Sequence, residues 1–369
     1  MKKINMYMCG PTLFDYVHIG CYRGFIMADI IHKHYVNKDY TVNHGMNIMD
    51  LDDKITGLYK NSKNFSVEPY YKSLKCEFDY LNLEHPNRIT KTTECIEEIE
   101  NLVDYFIEKG LAYITESGVY LSLDKVNNYG ELSGIKPSKN IKKIWIDDKA
   151  NSSDPSLWRF VPNEFTYEYL GRNGRPGWDI QCANCCISHM NADIDYQFAG
   201  FNDTTHYENE KVLIENSGNY SGKKSKWILS RYVNFVNDTP FFYMKDFIKE
   251  YRRQVIRYAL YVRSYTASFD ISAEHFETAQ KDIKKINDFY AHVIYQQPIK
   301  YEDTEISENI RKFDNCDELF EDLKIPTVIG YLFKLIKSVN KKRYLISEKQ
   351  KLRIVEIMDY LNKRLDFLY

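Results

Sequence analysis

The stretch that decides the fold is residues 4–44, which opens with Ile4-Asn-Met-Tyr-Met-Cys-Gly-Pro-Thr12. Residues 4–8 are mostly apolar and predict a short buried strand, which the loop signal Cys9-Gly-Pro-Thr12 brings to an end. Residues 25–34 then show helical spacing of apolar side chains, and residues 40–44 predict a second strand. Strand, helix and strand in this order form a βαβ unit, so we expect a parallel sheet.

The rest of the chain extends this pattern. Residues 67–110 are strongly helical in spacing, short strand-like runs within residues 111–150 predict an α+β insertion, and the sheet pattern resumes near residue 155. Nearly all of the remaining chain predicts helix, with Pro326 as a break. We therefore expect an α/β fold with these parts: a split α/β domain at 1–60 and 151–245, a connective insertion at 61–150, and a helical C-terminal domain at 246–369.

Composition limits the classes of function. The 369 residues carry 50 Lys and Arg against 52 Asp and Glu, so the total charge shows no basic excess for gripping a phosphate backbone. No run of 18 apolar residues predicts a membrane span, and the N-terminus lacks the apolar stretch of a signal peptide. Eight cysteines in such a chain indicate reduced thiols in the cytoplasm, some of them available as metal ligands.

Four candidate metal ligands lie far apart in the sequence. They are Cys9, Cys182 and the pair His206 and Glu210, whose spacing puts both side chains on one face of a helix. Zn²⁺ accepts these donor types in tetrahedral geometry. On spacing alone, a solvated His/Glu pair and inert buried cysteines are the commoner interpretation. A rival interpretation is a thiol cluster at Cys182-x-x-Cys185-Cys186, for metal binding or redox work, although it lacks a second CxxC half.

Several motifs resemble those of the cysteinyl-tRNA synthetases, and they run in the same order over roughly residues 5–290. They are residues 6–20, Asn47-Ile-Met-Asp-Leu-Asp-Asp-Lys-Ile55, residues 108–113, residues 129–134, Gly174-Arg-Pro-Gly-Trp-Asp-Ile-Gln-Cys182, His206-Tyr-Glu-Asn-Glu210, Arg257-Tyr-Ala-Leu260 and Ser268-Phe-Asp-Ile-Ser272. The resemblance implies a class I synthetase-like nucleotide-binding fold with its site at the carboxyl ends of the strands.

The resemblance also implies roles for individual residues. Cys9, Cys182, His206 and Glu210 match the family's Zn²⁺ ligands, and that zinc binds the thiolate of the substrate L-cysteine. A soft thiolate on zinc makes a bond that the hydroxyl of serine cannot match. The residues expected to line the cysteine pocket are Thr12 and Trp178, and those expected to keep a contact with nucleotide phosphate are His18 and Gly20.

The chain departs from the family in its nucleotide signatures. The second His of His-x-Gly-His is Cys21, and the lysines of Lys-Met-Ser-Lys-Ser are lost from residues 233–237, with Lys223, Lys224 or Lys226 as candidate substitutes. The family's Gly-rich turn reads Tyr196-Gln-Phe198, and the His of Gly-Trp-His is Asp179. We expect all of these residues to lie on the nucleotide side of the site, and their replacement makes the use of ATP doubtful. Three acidic residues at signature positions have no assigned role: Asp50, Asp179 and Asp195.

Three hypotheses of function follow from this pattern. The first is a cysteine-activating ligase that passes the cysteinyl group to an acceptor, either tRNA or, because no anticodon-reading domain is recognisable, a small-molecule amine. The second is an inactive pseudo-synthetase that binds cysteine as a sensor or regulatory module. The third is a different thiol enzyme, in which Cys21 is a nucleophile beside the metal.

Overall fold

The computed structural model describes residues 2–62, 65–135, 148–161, 166–200, 203–236 and 238–369. The strands in these ranges are β1 (Lys3–Met8), β2 (Thr41–Ile48), β3 (Arg88–Lys91), β4 (Ala112–Ile114), β5 (Gly118–Leu121), β6 (Ser156–Phe160), β7 (Tyr167–Tyr169), β8 (Arg172–Pro176), β9 (Tyr196–Gly200), β10 (Lys226–Ser230), β11 (Val233–Phe235) and β12 (Phe269–Ile271).

The helices of the same ranges are α1 (Ile19–Val36), α2 (Asp53–Asn61), α3 (Glu68–Tyr80), α4 (Ile96–Glu108), α5 (Trp178–Met190), α6 (Thr204–Glu215), α7 (Met244–Glu250), α8 (Arg253–Tyr261), α9 (Ala273–Tyr295), α10 (Thr304–Arg311), α11 (Cys316–Glu321), α12 (Ile325–Lys341) and α13 (Glu348–Leu365). Pro326 lies in the first turn of α12, where a backbone N–H would have no partner within the helix, so its absence costs nothing. The break predicted at Pro326 is therefore the start of a helix.

The central sheet confirms the parallel α/β fold. Its order is β10-β9-β1-β2-β3, and all of its neighbouring strands run parallel. Met6 in β1 pairs with His44 on one side and with Tyr196 on the other, so the early and late parts of the chain meet at β1. A sheet whose strand order diverges in this way leaves a crevice at the carboxyl ends of its strands, which is where ligands bind in such folds.

Two hydrophobic cores cover the two faces of this sheet. Met6 and Met8 of β1 point into a core shared with α1 and the C-terminal helices, whereas Tyr7 points into a core shared with α4, α5 and the second sheet. Because both faces are covered, β1 is a buried run rather than an alternating one, as its sequence indicates. The helix α1 is itself buried around most of its circumference.

Three sequence expectations are wrong in detail. The strand β6 near residue 155 does not resume the parallel sheet: it belongs to an antiparallel sheet of order β4-β5-β6-β8-β7. Residues 67–110 contain β3 between two helices, and the helical C-terminal part contains β12. Strand-forming composition predicts extended backbone, but long-range pairing selects the partner strand, and local patterns carry no record of it.

The described residues include no helix that is both long enough and apolar enough to cross a membrane.

Candidate metal centre

Four buried or half-buried donor groups meet at the carboxyl end of β1. Cys9 directly follows β1, Cys182 lies on α5, and both His206 and Glu210 lie on α6, with one donor atom of each within 4.8 Å of every other. The two thiol sulfurs are 3.6 Å apart, and His206 Nε2 lies 3.9 Å from Glu210 Oε2. These are spacings that four ligands of one small ion adopt. The structure therefore brings together all four residues that the sequence singled out.

The atoms of this cluster that lack a hydrogen-bond partner are suited to bind a Zn²⁺ ion. His206 Nε2 and Glu210 Oε2 are buried and have no hydrogen-bond partner. A buried polar atom without a partner costs free energy, so two of them facing two thiols need an explanation. A dication bonded to two thiolates, an imidazole nitrogen and a carboxylate oxygen removes the cost of both.

The protonation of the cluster points the same way. The hydrogen bond from the Cys182 thiol lowers the pKa of Cys9 to about 6, although burial opposes this, and the pKa of Cys182 is raised in return. Burial lowers the pKa of His206, but the neighbouring Asp179 and Cys9 outweigh it and raise the pKa well above its ordinary value. Burial raises the pKa of Glu210. The cluster thus holds protons that a metal ion would displace.

The approach of Cys9 to the other ligands depends on Gly10 and Asn47. Asn47 Oδ1 accepts a hydrogen bond from the Gly10 N–H at 2.8 Å, and Asn47 Nδ2 donates to Cys182 Sγ at 3.3 Å. A Cβ at Gly10 would lie 1.7 Å from the Asn47 carbonyl oxygen. The Gly10 backbone can therefore reach β2 only because it carries no side chain.

The ligands on α6 are held by partners on other elements. Asp179 Oδ1 lies 2.5 Å from His206 Nδ1, and Gln197 Nε2 donates to Glu210 Oε1 at 2.5 Å. The expectation that these two departures fall on the nucleotide side is wrong, because both side chains contact candidate metal ligands. A sequence signal for Asp179 existed: it stands three residues before Cys182 on one helix, and side chains at that spacing share a face.

Of the four candidate ligands, Cys9 lines a pocket of about 490 Å³, and the other three lie buried behind it. The Trp178 ring stacks on the His206 ring at 4.1 Å between centroids, and its Nε1 donates to Met49 Sδ at 2.9 Å. Thr12 Oγ1 donates to the same sulfur at 3.7 Å. Both predicted lining residues thus stand beside the metal centre, and Met49, which links them, was missed because a methionine after a strand carries no functional signal.

The nucleotide side of the pocket is lined by aromatic rings. The His18 ring packs against Phe235 and Phe242, with centroid distances of 5.8 and 5.4 Å, and burial lowers its pKa. Gly20 lies under this ring, since a Cβ there would approach His18 Nδ1 to 3.0 Å. Cys21 Sγ lies 3.3 Å from His18 Nε2, and burial raises the pKa of Cys21 to about 12. Its thiol therefore stays protonated at neutral pH, which does not suit a nucleophile.

Two of the three lysines considered as substitutes for the lost signature, Lys223 and Lys226, form ion pairs outside the pocket. Lys226 begins β10 and pairs with Asp322 at 2.6 Å, whereas the pocket lies at the other end of that strand, about 13 Å away at the usual rise per residue. Lys223 pairs with Asp195 at 2.8 Å. The stretch aligned with the lost signature contains β11, which pairs with β12, while Asn237 lies outside the described residues.

Two of the unassigned acidic residues have structural contacts. Asp50 accepts hydrogen bonds from the N–H and the hydroxyl of Thr93, at 3.0 and 2.6 Å. Asp195 Oδ2 accepts from the Asn5 N–H at 2.9 Å. Asp195 thus precedes β9 and lies beside β1 at the end of the sheet away from the pocket.

Comparison with known families gives one match over most of the chain. The model of the tRNA synthetase class I (C) catalytic domain matches residues 1–281. A cysteine–tRNA ligase of Methanococcus aeolicus is 28% identical over 365 residues, covering 92% of this chain and 75% of the relative. One of Methanococcus maripaludis strain C7 is 33% identical, covering 77% of this chain but only 63% of the relative. One of Mycoplasma mycoides is 30% identical, covering 92% and 80%.

Solved structures share the fold at much lower identity. Methionyl-tRNA synthetase of Mycobacterium tuberculosis in complex with methionyl-adenylate superposes with a TM-score of 0.72 at 10% identity, covering 99% of this chain and 92% of its own. A putative arginyl-tRNA synthetase of Campylobacter jejuni superposes with a TM-score of 0.66 at 11% identity, covering 99% and 91%. At such identities the likeness concerns the fold alone.

Proposed function

This chain belongs to the cysteinyl-tRNA synthetase family, and from that membership we propose that it is a ligase that recognises L-cysteine through Zn²⁺ held by Cys9, Cys182, His206 and Glu210. The observation that carries the proposal is the pair of buried, unpartnered atoms, His206 Nε2 and Glu210 Oε2, facing two thiols, of which the Cys9 thiol belongs to a residue that lines the pocket.

Zinc in this position supplies a Lewis acid that binds the sulfur of a thiolate substrate. The surrounding residues restrict what reaches it. Trp178 covers one face of His206, and Thr12 lines the same pocket, with both side chains bonded to the Met49 sulfur. A site that requires a metal–sulfur bond discriminates strongly against an analogue that lacks the sulfur, as polar sites do against analogues without the partner group. We therefore expect cysteine to bind and serine to be rejected.

For ATP, the proposal assigns the phosphate contact to Arg231. It follows β10 at the carboxyl end of the sheet, and among the described residues that line the pocket it is the one arginine or lysine. A guanidinium suits phosphate because its fork of N–H donors matches two oxygens. With Arg231→Gln, ATP should bind more weakly while cysteine binds as before. An unchanged ATP affinity would remove Arg231 from the proposal.

The acceptor is the remaining choice within the proposed function. The named relatives are cysteine–tRNA ligases, so tRNA is the first acceptor to test. A small-molecule amine is kept as a prediction from the sequence, and it gains no support from the pocket geometry. Both acceptors require the same first step, the joining of the cysteine carboxyl group to AMP with release of pyrophosphate.

The deciding experiment is calorimetric titration of the zinc-loaded protein with L-cysteine, L-serine and ATP, followed by cysteine-dependent exchange of pyrophosphate into ATP. Binding of cysteine and ATP, rejection of serine and measurable exchange are the expected results. Cysteine binding without ATP binding or exchange would instead support the cysteine-sensing pseudo-synthetase. A protein that binds neither zinc nor cysteine would sink the proposal.

A further inference from the structure

The two zinc-facing side chains of α6 are each fixed by a residue where this chain departs from the family signatures. Asp179 stands at the His of Gly-Trp-His, and Gln197 stands in the Gly-rich turn. Asp179 bonds to His206 at 2.5 Å, and Gln197 bonds to Glu210 at 2.5 Å. Both side chains therefore act on the metal centre through its ligands.

The bond to Asp179 decides which nitrogen of His206 faces the metal. A carboxylate only accepts hydrogen bonds, so the proton of the ring must be on Nδ1. Nε2 is then the nitrogen left for a metal ion, and it lies buried beside the thiols without a hydrogen-bond partner. A carboxylate bonded to the far nitrogen of a metal-binding histidine fixes the ring and makes it a stronger ligand.

Asp179 is itself held in place by a chain of bonds. Its second oxygen accepts from Asn209 Nδ2 at 2.9 Å, and Asn209 Oδ1 accepts from the Tyr129 hydroxyl at 2.9 Å. Both oxygens of Asp179 are thus engaged within the protein. This arrangement suits a residue that positions His206.

Gln197 does for Glu210 what Asp179 does for His206. It lies fully buried on β9, and its amide donates to one carboxylate oxygen, so the other oxygen, Oε2, is left facing the cluster. A glycine at this position could not make that bond. Glutamine on β9, at a position where the family signature has glycine, thus supplies an orienting donor.

We propose that Asp179 and Gln197 are positioning residues that orient His206 Nε2 and Glu210 Oε2 toward zinc and thereby tighten zinc binding. The inference rests on the proposed zinc site. It gives a structural role to two residues that differ from the family's nucleotide-binding signatures. Outer partners of this kind typically change metal affinity by about 10–100-fold when they are removed.

The test measures zinc affinity by competition with a chromophoric chelator in four variants of the full chain. Asp179→Ala and Gln197→Met should each weaken zinc binding by about 10–100-fold. Asp179→Asn should weaken it less, because the amide oxygen still accepts from Nδ1–H, and this partial rescue also covers the case in which the alanine variant fails to fold. Gln254→Met is the matched control: Gln254 is also buried, and its amide donates to the Leu368 carbonyl oxygen, away from the metal centre.

A spectroscopic readout separates positioning from general loss of structure. With Co²⁺ in place of zinc, the visible absorption bands should shift in the Asp179 and Gln197 variants and stay unchanged in Gln254→Met. Variants that bind zinc as tightly as the unaltered protein, with unchanged bands, would overturn this inference and leave the proposed function standing. An unaltered protein that takes up no zinc would overturn both.

Discussion

Among the cysteines of this chain, Cys9 and Cys182 are set apart by the atoms around them. Their sulfurs face each other and two unpartnered oxygen and nitrogen atoms, whereas Cys316 lies at the start of α11 beside the Lys312 carbonyl oxygen. A thiol packed among backbone atoms behaves as a small hydrophobe, whereas one facing other soft donors is placed to hold a metal.

Replacing Cys9 by serine should abolish zinc retention. The hydroxyl remains protonated at neutral pH and is a poor zinc ligand, so we expect a loss larger than the roughly 100-fold at the upper end for an outer partner. Zinc content after gel filtration measures the effect, and Cys316→Ser is the matched control. Equal zinc content in both variants would show that Cys9 is no ligand.

Replacing Gly10 by alanine should damage both the metal centre and the fold. The new Cβ would overlap the Asn47 carbonyl oxygen, so the Cys9 loop must move, at a cost of roughly 1–3 kcal/mol or more in unfolding free energy. Gly330→Ala on α12 is the matched control, because its Cβ meets no atom within 4 Å and alanine favours a helix by about 0.5–1 kcal/mol. Denaturant unfolding measures both, and a stabilised Gly10→Ala variant would contradict the geometry.

At the scale of elements, α1 connects the pocket of the α/β part with the C-terminal helices. Its N-terminal turn carries Gly20 and Cys21 of the pocket, and its C-terminal half packs against α11 and α13. His34 lies in that second half, buried and stacked on Phe320, with Nδ1 accepting from Arg364 Nε at 3.2 Å. Burial, with help from the Arg364 charge, lowers the pKa of His34 to about 4.

This depressed pKa predicts an acid-sensitive contact. In the unfolded chain histidine titrates near 6.5, so between about pH 6.5 and 4 the unfolded state binds a proton that the folded state refuses. The unfolding free energy should therefore fall toward low pH by up to about 1.4 kcal/mol per pH unit from this group. His34→Gln keeps an acceptor for Arg364 and does not titrate, so it should lose less stability between neutral and acidic pH. Urea unfolding at both pH values measures the difference, and equal losses would exclude His34 as the cause.

At the scale of the whole molecule, a buried ion pair connects the C-terminal helices to the α/β part. Arg257 Nη2 on α8 lies 2.6 Å from Asp29 Oδ2 on α1, both fully buried, and Arg257 Nε donates to the Leu365 carbonyl oxygen at the end of α13. Burial raises the pKa of Asp29, but Arg257 and Lys33 outweigh it and hold the pKa below its ordinary value. One guanidinium thus joins three elements far apart in sequence.

Replacing Arg257 by methionine should destabilise the protein by roughly 3–5 kcal/mol, because it leaves a buried carboxylate with Lys33 as its remaining cation. Adding Asp29→Asn removes the stranded charge and should recover part of the loss, which a double-mutant cycle measures. Lys281→Met is the control, since its pair with Glu277 is exposed and should matter by less than about 0.5 kcal/mol. Additive effects of Arg257→Met and Asp29→Asn would show that the pair is not coupled.

The sequence by itself determined the fold class, the first βαβ unit and the four candidate metal ligands. The strand and helix of that unit follow from apolar spacing, which is a local property of the chain. The ligand set did not follow from spacing, because Cys9 and Cys182 are separated by 173 positions. It followed from the resemblance of whole motifs to one family.

The tertiary structure alone decided which departures matter to which site. Asp179 and Gln197 count as losses on the nucleotide side when they are read along the chain, yet they contact His206 and Glu210. Lys226 is a candidate phosphate ligand in sequence but stands at the wrong end of its strand. The physical reason is that the periodicity of apolar residues and the residue types are local properties of the sequence. Which side chains contact each other depends on how strands pair and helices pack across the whole chain.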